Sequence, residues 1–298
     1  MRPRVALVSA RAARHLDEDL PPLLAALAEA GIEAEVADWD DHGVDWAAYR
    51  LALLRSTWDY AQRLSEFLAW ADRTATLTTL INPPAVVRWN VDKHYLAALA
   101  RAGVATVPTR FAEPGESASQ ALDGFLAAER PPEWVVKPSV GAGSRDAARY
   151  APGEEQAAGA HVERLLAAGR SVMLQPYLEQ VDLHGETALV YFNGRFSHAI
   201  RKGPLLKRGS GPTEALFAQE QITQRAPAAA ELQAGDGVLA ALPFAPPLYA
   251  RVDLIRSRDG EPCLLEIELT EPSLFFAHAP GAAQRLAQLC CQLPPLSR

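Results

Sequence analysis

A chain of 298 residues that is 49% hydrophobic and 22% charged can bury a large core, and its length accommodates two or three structural units. A formal net charge of -7 and a pI near 5.6 exclude a broad basic surface, so nucleic acid is not an expected partner. The sequence has no uninterrupted run of about 18 apolar residues and no charged start, apolar run and cleavage site, so no membrane association is expected and the expected location is cytoplasmic. Cys263, Cys290 and Cys291 lack C-x-x-C spacing and the histidines lack H-E-x-x-H spacing, so reduced thiols and no zinc site are expected.

The segment from Arg4 to Ala10 reads as a buried strand, Leu20 to Ala30 as a helix ended by Gly31, and Ile32 to Ala37 as a second strand. After the first strand stands "VSARAAR" rather than G-x-G-x-x-G, which sets aside a dinucleotide-binding turn. Leu51 to Arg55 is the next expected strand, and a helix resumes around Arg63 to Asp72. Ligands of open parallel sheets bind beyond strand C-termini, which makes Arg55, Ser56, Asp59 and Tyr60 substrate candidates. A helix cap with aromatic packing explains the same residues equally well.

"INPP" from Ile81 breaks the pattern, and a helix carrying Asp92, Lys93 and Tyr95 runs to a boundary near Gly103. An alanine-rich helix at Ser119 to Glu129 precedes "PPEWVVKPSVGAGSRD", a strand with Lys137 and Pro138 followed by a glycine-bearing loop. A helix near His161 to Ala168 and the strand "SVMLQPYL" follow. Asn193-Gly194 signals a two-residue hairpin that would pair Glu186 with Arg201. From "KRGSGPTE" to "AGDG" a mobile loop and a helix are expected, and Gly281 to Leu293 reads as a closing helix.

Near the C-terminus, "YARVDLI" and "PCLLEIEL" flank Asp259-Gly260, another two-residue turn signal, here pairing Arg258 with Glu261. Counting back sets Asp253 opposite Glu266 and Arg251 opposite Glu268. These four polar groups share one face, with Val252, Leu254, Leu265, Ile267 and Leu269 on the other. Such carboxylates either splay into water or surround a divalent cation. Of 29 basic residues only Lys93, Lys137, Lys202 and Lys207 are lysines. A lysine is a compact point charge suited to phosphate oxygens.

The order of these features resembles the ATP-grasp superfamily of carboxylate-amine ligases over roughly Ile81 to Leu274. The β-α-β opening fits that superfamily's usual N-terminal domain. The resemblance implies an α/β (α+β) fold with an N-terminal parallel-sheet domain at 1–102, a small central domain at 103–178 and a C-terminal antiparallel-sheet domain at 179–298. It implies ATP and magnesium, taken as two ions, as cofactors, and a small amino-acid substrate. Homo-oligomerisation is a family-level expectation.

Through the same resemblance, Lys93 and Lys137 contact nucleotide phosphates, and backbone amides from Gly141 through Gly143 to Ser144 cover them. Gln175 and the backbone of Tyr177 and Leu178 read adenine, while Asp182, with Glu186 as rival, holds ribose. Arg201 and Lys202 face the outer phosphates. Asp253, Glu266 and Glu268 correspond to magnesium ligands, and Arg251 stabilises the transferring phosphoryl group. Thr270 and Ser273 occupy the substrate-contact turn. One departure stands out: the superfamily often has E-x-N where this chain has E-x-E.

The segments "RSTWDY", "NPP", "RWNVDK", "KPSVGAGSRD", "HAIRKGPLL" and "IELTEPSL" resemble the cyclo-ligases that convert O-ureido-D-serine to D-cycloserine. The activity so implied is phosphorylation of a carboxylate by ATP, then displacement of phosphate by a nitrogen of the same molecule. An intermolecular amino-acid ligase, a grasp-fold kinase and a non-catalytic nucleotide-binding module are the competing expectations.

Overall fold

The structure, a computed structural model, describes residues 4–212 and 221–293. Strands β1 (Arg4–Ser9), β2 (Glu33–Asp38), β3 (Leu51–Ser56) and β4 (Thr79–Ile81) form a parallel sheet in the order β2-β1-β3-β4. Helices α1 (Leu20–Glu29) and α2 (Leu64–Ala75) cover its two faces. Val5, Leu7, Leu51 and Leu53 share a core with Leu23 and Leu27 of α1, whereas Ala6, Val8, Ala52 and Leu54 meet Phe67 and Trp70 of α2. Because both faces are covered, β3 is buried at every position, which accounts for its apolar run from Leu51 to Leu54.

Helices α3 (Pro84–Asn90) and α4 (Tyr95–Arg101) lead to the second sheet. This comprises β5 (Arg110–Ala112), β6 (Trp134–Pro138), β7 (Ala148–Tyr150) and β8 (Val172–Pro176), in the order β5-β8-β6-β7. Helices α5 (Ala118–Glu129) and α6 (Glu155–Ala167) close a core of Leu122, Phe125, Trp134, Val162 and Leu174 over it. Ser117 begins α5 by accepting the Gln120 amide at 3.4 Å.

After α7 (Gln180–His184), the third sheet holds β9 (Glu186–Phe192), β10 (Arg195–Lys202), β11 (Ile222–Gln224), β12 (Tyr249–Arg256) and β13 (Pro262–Glu268). Its order is β11-β10-β9-β12-β13, with helix α8 (Ala229–Ala240) against it. The closing helix α9 (Ala282–Gln292) returns to the first sheet, where Leu286, Ala287 and Cys290 join Leu23 and Leu27. One sheet falls in each of the ranges 1–102, 103–178 and 179–298, but three cores cross those limits, among them the one that joins Val107 and Val135 to Ile255. Besides α9, Tyr95, Leu96 and Leu99 of α4 pack on Val252, Leu254 and Ile267 of the third sheet. The expected loop-and-helix stretch after β10 falls partly on residues 213–220, outside the described residues. No helix among the described residues is long and apolar enough to cross a membrane.

Both hairpins depart from the counted register, with different consequences. Asn193 and Gly194 have φ of 47° and 72° and pair Phe192 with Arg195, as a two-residue turn requires. A bulge at Ser197 then advances the pairing by one, so Glu186 lies opposite Lys202 and Arg201 opposite Thr187. The expected Glu186–Arg201 pair is therefore replaced by Glu186–Lys202.

At β12–β13 the turn is longer than Asp259-Gly260 implies. Ser257 receives the partner position, its amide donating to Glu261 O at 2.8 Å, and Gly260 adopts φ 85°. A bulge leaving Leu265 without a partner compensates, restoring Asp253 opposite Glu266 and Arg251 opposite Glu268. Leu265 thereby leaves the face shared by Val252, Leu254, Ile267 and Leu269 and joins Val107, Val135 and Tyr177. Its expected orientation is reversed by the bulge.

Candidate active site

A cleft lies between the second and third sheets, apolar at one end and ionic at the other. Its apolar end is built from Val107, Val135, Tyr177, Leu178, Ile255 and Leu265, a slot of the kind a flat heterocycle fills. Gln175 lines it and donates its amide to Thr109 Oγ1 at 2.8 Å. Tyr177 carries Arg149 over its ring at 3.5 Å and donates its hydroxyl to Asp182 at 2.5 Å. This occupies Asp182 outside the cleft lining, whereas Glu186 lines the cleft.

Where β6 ends, Pro138 stops the strand and the chain turns through Gly143 and Ser144, both with φ near 60°. Among the described residues the amides of Gly141, Ala142, Gly143 and Ser144 donate to no protein acceptor, so they remain four consecutive donors for an anion. Lys93 supports this loop from below, its ammonium donating to Gly141 O at 2.7 Å and reaching Glu266 Oε1 at 3.1 Å. Lys137 faces the same cleft with no ion-pair partner within 4 Å among the described residues. Burial lowers its pKa to about 8, a cost that a phosphate beside it would offset.

At the ionic end, strand alternation brings Arg251 and Asp253 to one face of β12, and the restored register brings Glu266 and Glu268 beside them. Arg251 grips Asp253 through two bonds of 2.8 and 2.9 Å and also pairs with Glu268. The Lys202 ammonium lies 2.8 Å from both Asp253 and Glu186. Burial would raise the Asp253 pKa, but Arg251 and Lys202 hold it down at about 2. Glu266 is likewise lowered, because Lys93 and Lys137 outweigh its burial. Glu268 is raised to about 7 by burial, partly offset by Arg251 and reinforced by Glu266 and Asp253.

Among the described residues no three His, Cys, Asp or Glu side chains form a ready-made metal cage. Each carboxylate is drawn towards a cationic side chain instead. The donor set is nevertheless all oxygen, and burial, with Glu266 and Asp253 beside it, disfavours the charged form of Glu268, a cost that a cation would offset. Both properties fit a hard divalent cation.

The structure separates the remaining expected site residues into two groups. Ser273 lines the cleft. Arg201 does not: the Ser197 bulge places it on the other face, where it donates to His184 O at 2.9 Å. Arg55, Ser56 and Thr270 are fully buried, because the end of β3 is covered by the segment after β13 rather than open. Ser56 meets Ser9 at 2.7 Å, and Thr270 reaches Asn90 at 3.2 Å. Asp59 accepts from Trp39 Nε1 at 2.9 Å, and Trp39 packs in the aromatic core beside the first sheet.

Arg55 instead donates to Pro272 O at 2.9 Å, the middle member of a series. Five consecutive carbonyls face five different side-chain donors: Thr270 O meets Tyr249 Oη at 3.0 Å, Glu271 O meets Trp58 Nε1 at 3.1 Å, and Ser273 O meets Arg251 Nη1 at 3.2 Å. Leu274 O meets His198 Nε2 at 2.7 Å. Glu271 and Trp58 both line the cleft, yet sequence reasoning gave neither a role, although each sits inside a quoted motif. An acidic side chain directly after Thr270, in the turn where the resemblance implied substrate contact, was the available signal for Glu271. Leu265 was missed because a bulge has no clear sequence mark.

A family profile described as the N-terminal domain of D-cycloserine synthetase DcsG matches residues 5–82. The cycloserine biosynthesis protein DcsG of Streptomyces lavendulae is 46% identical over 294 residues, covering 95% of this chain and 96% of that protein. A crystal structure of D-cycloserine synthetase DcsG superposes with a TM-score of 0.91 at 41% identity, over 97% of this chain and 99% of that one. The D-alanine--D-alanine ligase of Bacillus anthracis shares the fold at a TM-score of 0.69 and 16% identity, covering 98% and 96% of the two chains. The chain belongs to the DcsG family of D-cycloserine synthetases, ATP-dependent ligases of the ATP-grasp fold.

Proposed function

We propose that the protein closes O-ureido-D-serine into D-cycloserine at the expense of ATP, through an acyl phosphate on the substrate carboxylate. The observation that carries this reading is the convergence of Lys93, Lys137, Lys202 and Arg251 with Asp253, Glu266 and Glu268 around one cleft. A carboxylate is anionic and a poor electrophile, so ring closure at neutral pH requires activation. Phosphorylation by ATP supplies it, and positive groups placed where phosphoryl oxygens gather charge stabilise that transfer.

In this reading adenine occupies the slot lined by Val135, Tyr177, Leu178 and Leu265, with the ribose at Glu186. The amides of residues 141–144 with Lys93 and Lys137 bind the phosphates. Asp253, Glu266 and Glu268 would hold magnesium, as two ions, which offsets phosphate charge and polarises the transferring group when bound. Arg251 orients the acceptor carboxylate and stabilises the phosphoryl group, while Trp58 and Ser273 border the space left for a small amino acid. Holding both reacting ends in one enclosed site favours the intramolecular attack.

The test is incubation with Mg-ATP and O-ureido-D-serine beside a panel of amino acids, with phosphate release and product mass measured. A ring product with equimolar phosphate is expected. Release of phosphate only with a second amino acid present would assign the chain to intermolecular ligation instead.

A further inference from the structure

Among Thr270 to Phe276, the segment held by its backbone, Glu271 is the one residue with an ionisable side chain. Its carboxyl lies in the cleft wall, buried, on the same cavity as Arg251 and Trp58. The other acidic residues there are tied to cations: Asp253 to Arg251 and Lys202, Glu266 to Lys93, Glu268 to Arg251, and Glu186 to Lys202. Glu271 forms no ion pair among the described residues, and the neutral hydroxyl of Tyr60 acts on its carboxyl. A carboxylate with a neutral partner keeps its basicity, whereas one clamped by guanidinium or ammonium loses it.

We propose that Glu271 is the general base that takes the proton from the attacking substrate nitrogen as the ring closes. This rests on the cyclisation reading above. In that step the nitrogen forms a bond to the acyl carbon, the bond from that carbon to the phosphate oxygen breaks, and the nitrogen's proton passes to the Glu271 carboxylate. Phosphate leaves with the electron pair. ATP has already supplied the activation, so closure itself needs no further reactant; water then takes the carbamoyl group from the ring nitrogen as carbon dioxide and ammonia, which leaves D-cycloserine.

Two features support this role. A base acts efficiently only from a fixed position, and here the backbone on both sides of Glu271 is anchored: Tyr249 on the preceding carbonyl, Trp58 on its own, and Arg55 on the next. The electrostatic setting is also suitable. Burial and the nearby Glu268 and Glu266 raise the Glu271 pKa, Lys93 and the Tyr60 hydroxyl lower it, and the balance is about 8.

Hydroxylamine separates the two half-reactions, because its neutral form attacks an acyl phosphate without a base. The full chain is supplied with Mg-ATP and O-ureido-D-serine, and hydroxamate and ring product are measured separately. Glu271→Gln is expected to slow ring closure by about 10²- to 10⁴-fold while hydroxamate forms near the wild-type rate. Glu271→Asp recovers part of the closure. Ring closure by the wild type rises with pH through the titration of the base, and this limb disappears in Glu271→Gln. The proposal is overturned if Glu271→Gln closes the ring at the wild-type rate, or if both products fall together in both variants, which marks a purely structural or substrate-binding group. A wild-type protein inert towards O-ureido-D-serine overturns the cyclisation reading itself, and the proposal with it.

Discussion

The carboxylate of Asp19 accepts the backbone amide of Leu274 at 2.6 Å, joining the start of the first helix to the turn after the last strand. Its oxygens also take the amides of Phe275 and Phe276, at 3.1 and 2.8 Å, and Arg55 approaches within 3.5 Å. One buried anion thus fixes three consecutive amides while Arg55 fixes a carbonyl of the same turn. The turn carries Glu271 and Ser273, so the elements around the first sheet contribute to the site by holding it in place.

Asp19→Asn therefore costs about 3 kcal/mol of stability, since it removes the charge that three amides and a buried guanidinium share. Thermal or urea unfolding measures this. The same variant loses kcat while its KM for ATP stays near the wild-type value, because the end of the cleft proposed for the nucleotide lies on the other two sheets. A parallel rise in KM for ATP would contradict that division of labour.

Arg251 joins the two halves of the site, gripping Asp253 and Glu268 while donating to Ser273 O. Lysine in its place supplies one charge and no planar fork. Arg251→Lys is expected to lower the rate of ADP release by about 10²- to 10³-fold, the usual loss for a group aimed at transition-state charge. Steady-state ADP release measures it, and a change confined to KM would show that Arg251 only binds.

Much of this site is legible in the sequence, and the failures share a cause. Lys93, Lys137, Asp253 and Glu266 follow from order and alternation, which bulges do not disturb when they cancel. The Asp253–Glu266 register was reached through a turn one residue too short and an unforeseen bulge at Leu265, two errors of opposite sign. At β10 only one error occurred, the Ser197 bulge, and Arg201 consequently faces away from the cleft. Arg55 and Ser56 show a different limit. A strand's C-terminal end is an open site only if no later segment covers it, and the covering segment lies more than 200 residues away, with Arg55 bonded to Pro272.

Lys137 gives a pH-dependent signature. Its folded pKa of about 8 lies below the ordinary lysine value, so burial penalises its charged form. The penalty is fully present below pH 8 and is relieved as the pH rises from the folded value to the unfolded one. Lys137→Met is accordingly more stable than the wild type at pH 7, by on the order of 1 to 3 kcal/mol, and the difference shrinks above pH 8. Nucleotide phosphates restore the charge. Mg-ATP binding at pH 8.5 should therefore take up a proton, seen as a binding enthalpy that varies with the ionisation enthalpy of the buffer.

Gly185 sets the entry of β9. Its φ of 68° and ψ of -173° belong to a region open essentially to glycine, and a Cβ there would sit 2.4 Å from Lys202 O and 2.8 Å from Arg201 Nε. Gly185→Ala should cost about 2 to 4 kcal/mol, combining backbone strain with overlap. The displaced strand carries Glu186 and presses on Lys202, so ATP affinity falls as well. Equal stability in an unfolding curve would refute the overlap.

Asp182 and Glu186 compete for the ribose, and their surroundings favour Glu186. Asp182 is occupied by the Tyr177 hydroxyl and approached by Arg149 at 3.5 Å, while Glu186 faces the cleft beside Lys202. A carboxylate accepting from ribose hydroxyls contributes a charge-assisted bond of about 1.5 to 3 kcal/mol, or on the order of 10- to 100-fold in affinity. Glu186→Gln is expected to weaken binding of ATP by that factor, and Asp182→Asn to change it by no more than about twofold. Repeating both titrations with 2′,3′-dideoxy-ATP isolates the hydroxyls: the loss caused by Glu186→Gln should largely vanish with that nucleotide. A loss that persists would trace the effect to the Lys202 partnership, and a larger loss in Asp182→Asn would transfer the ribose to Asp182.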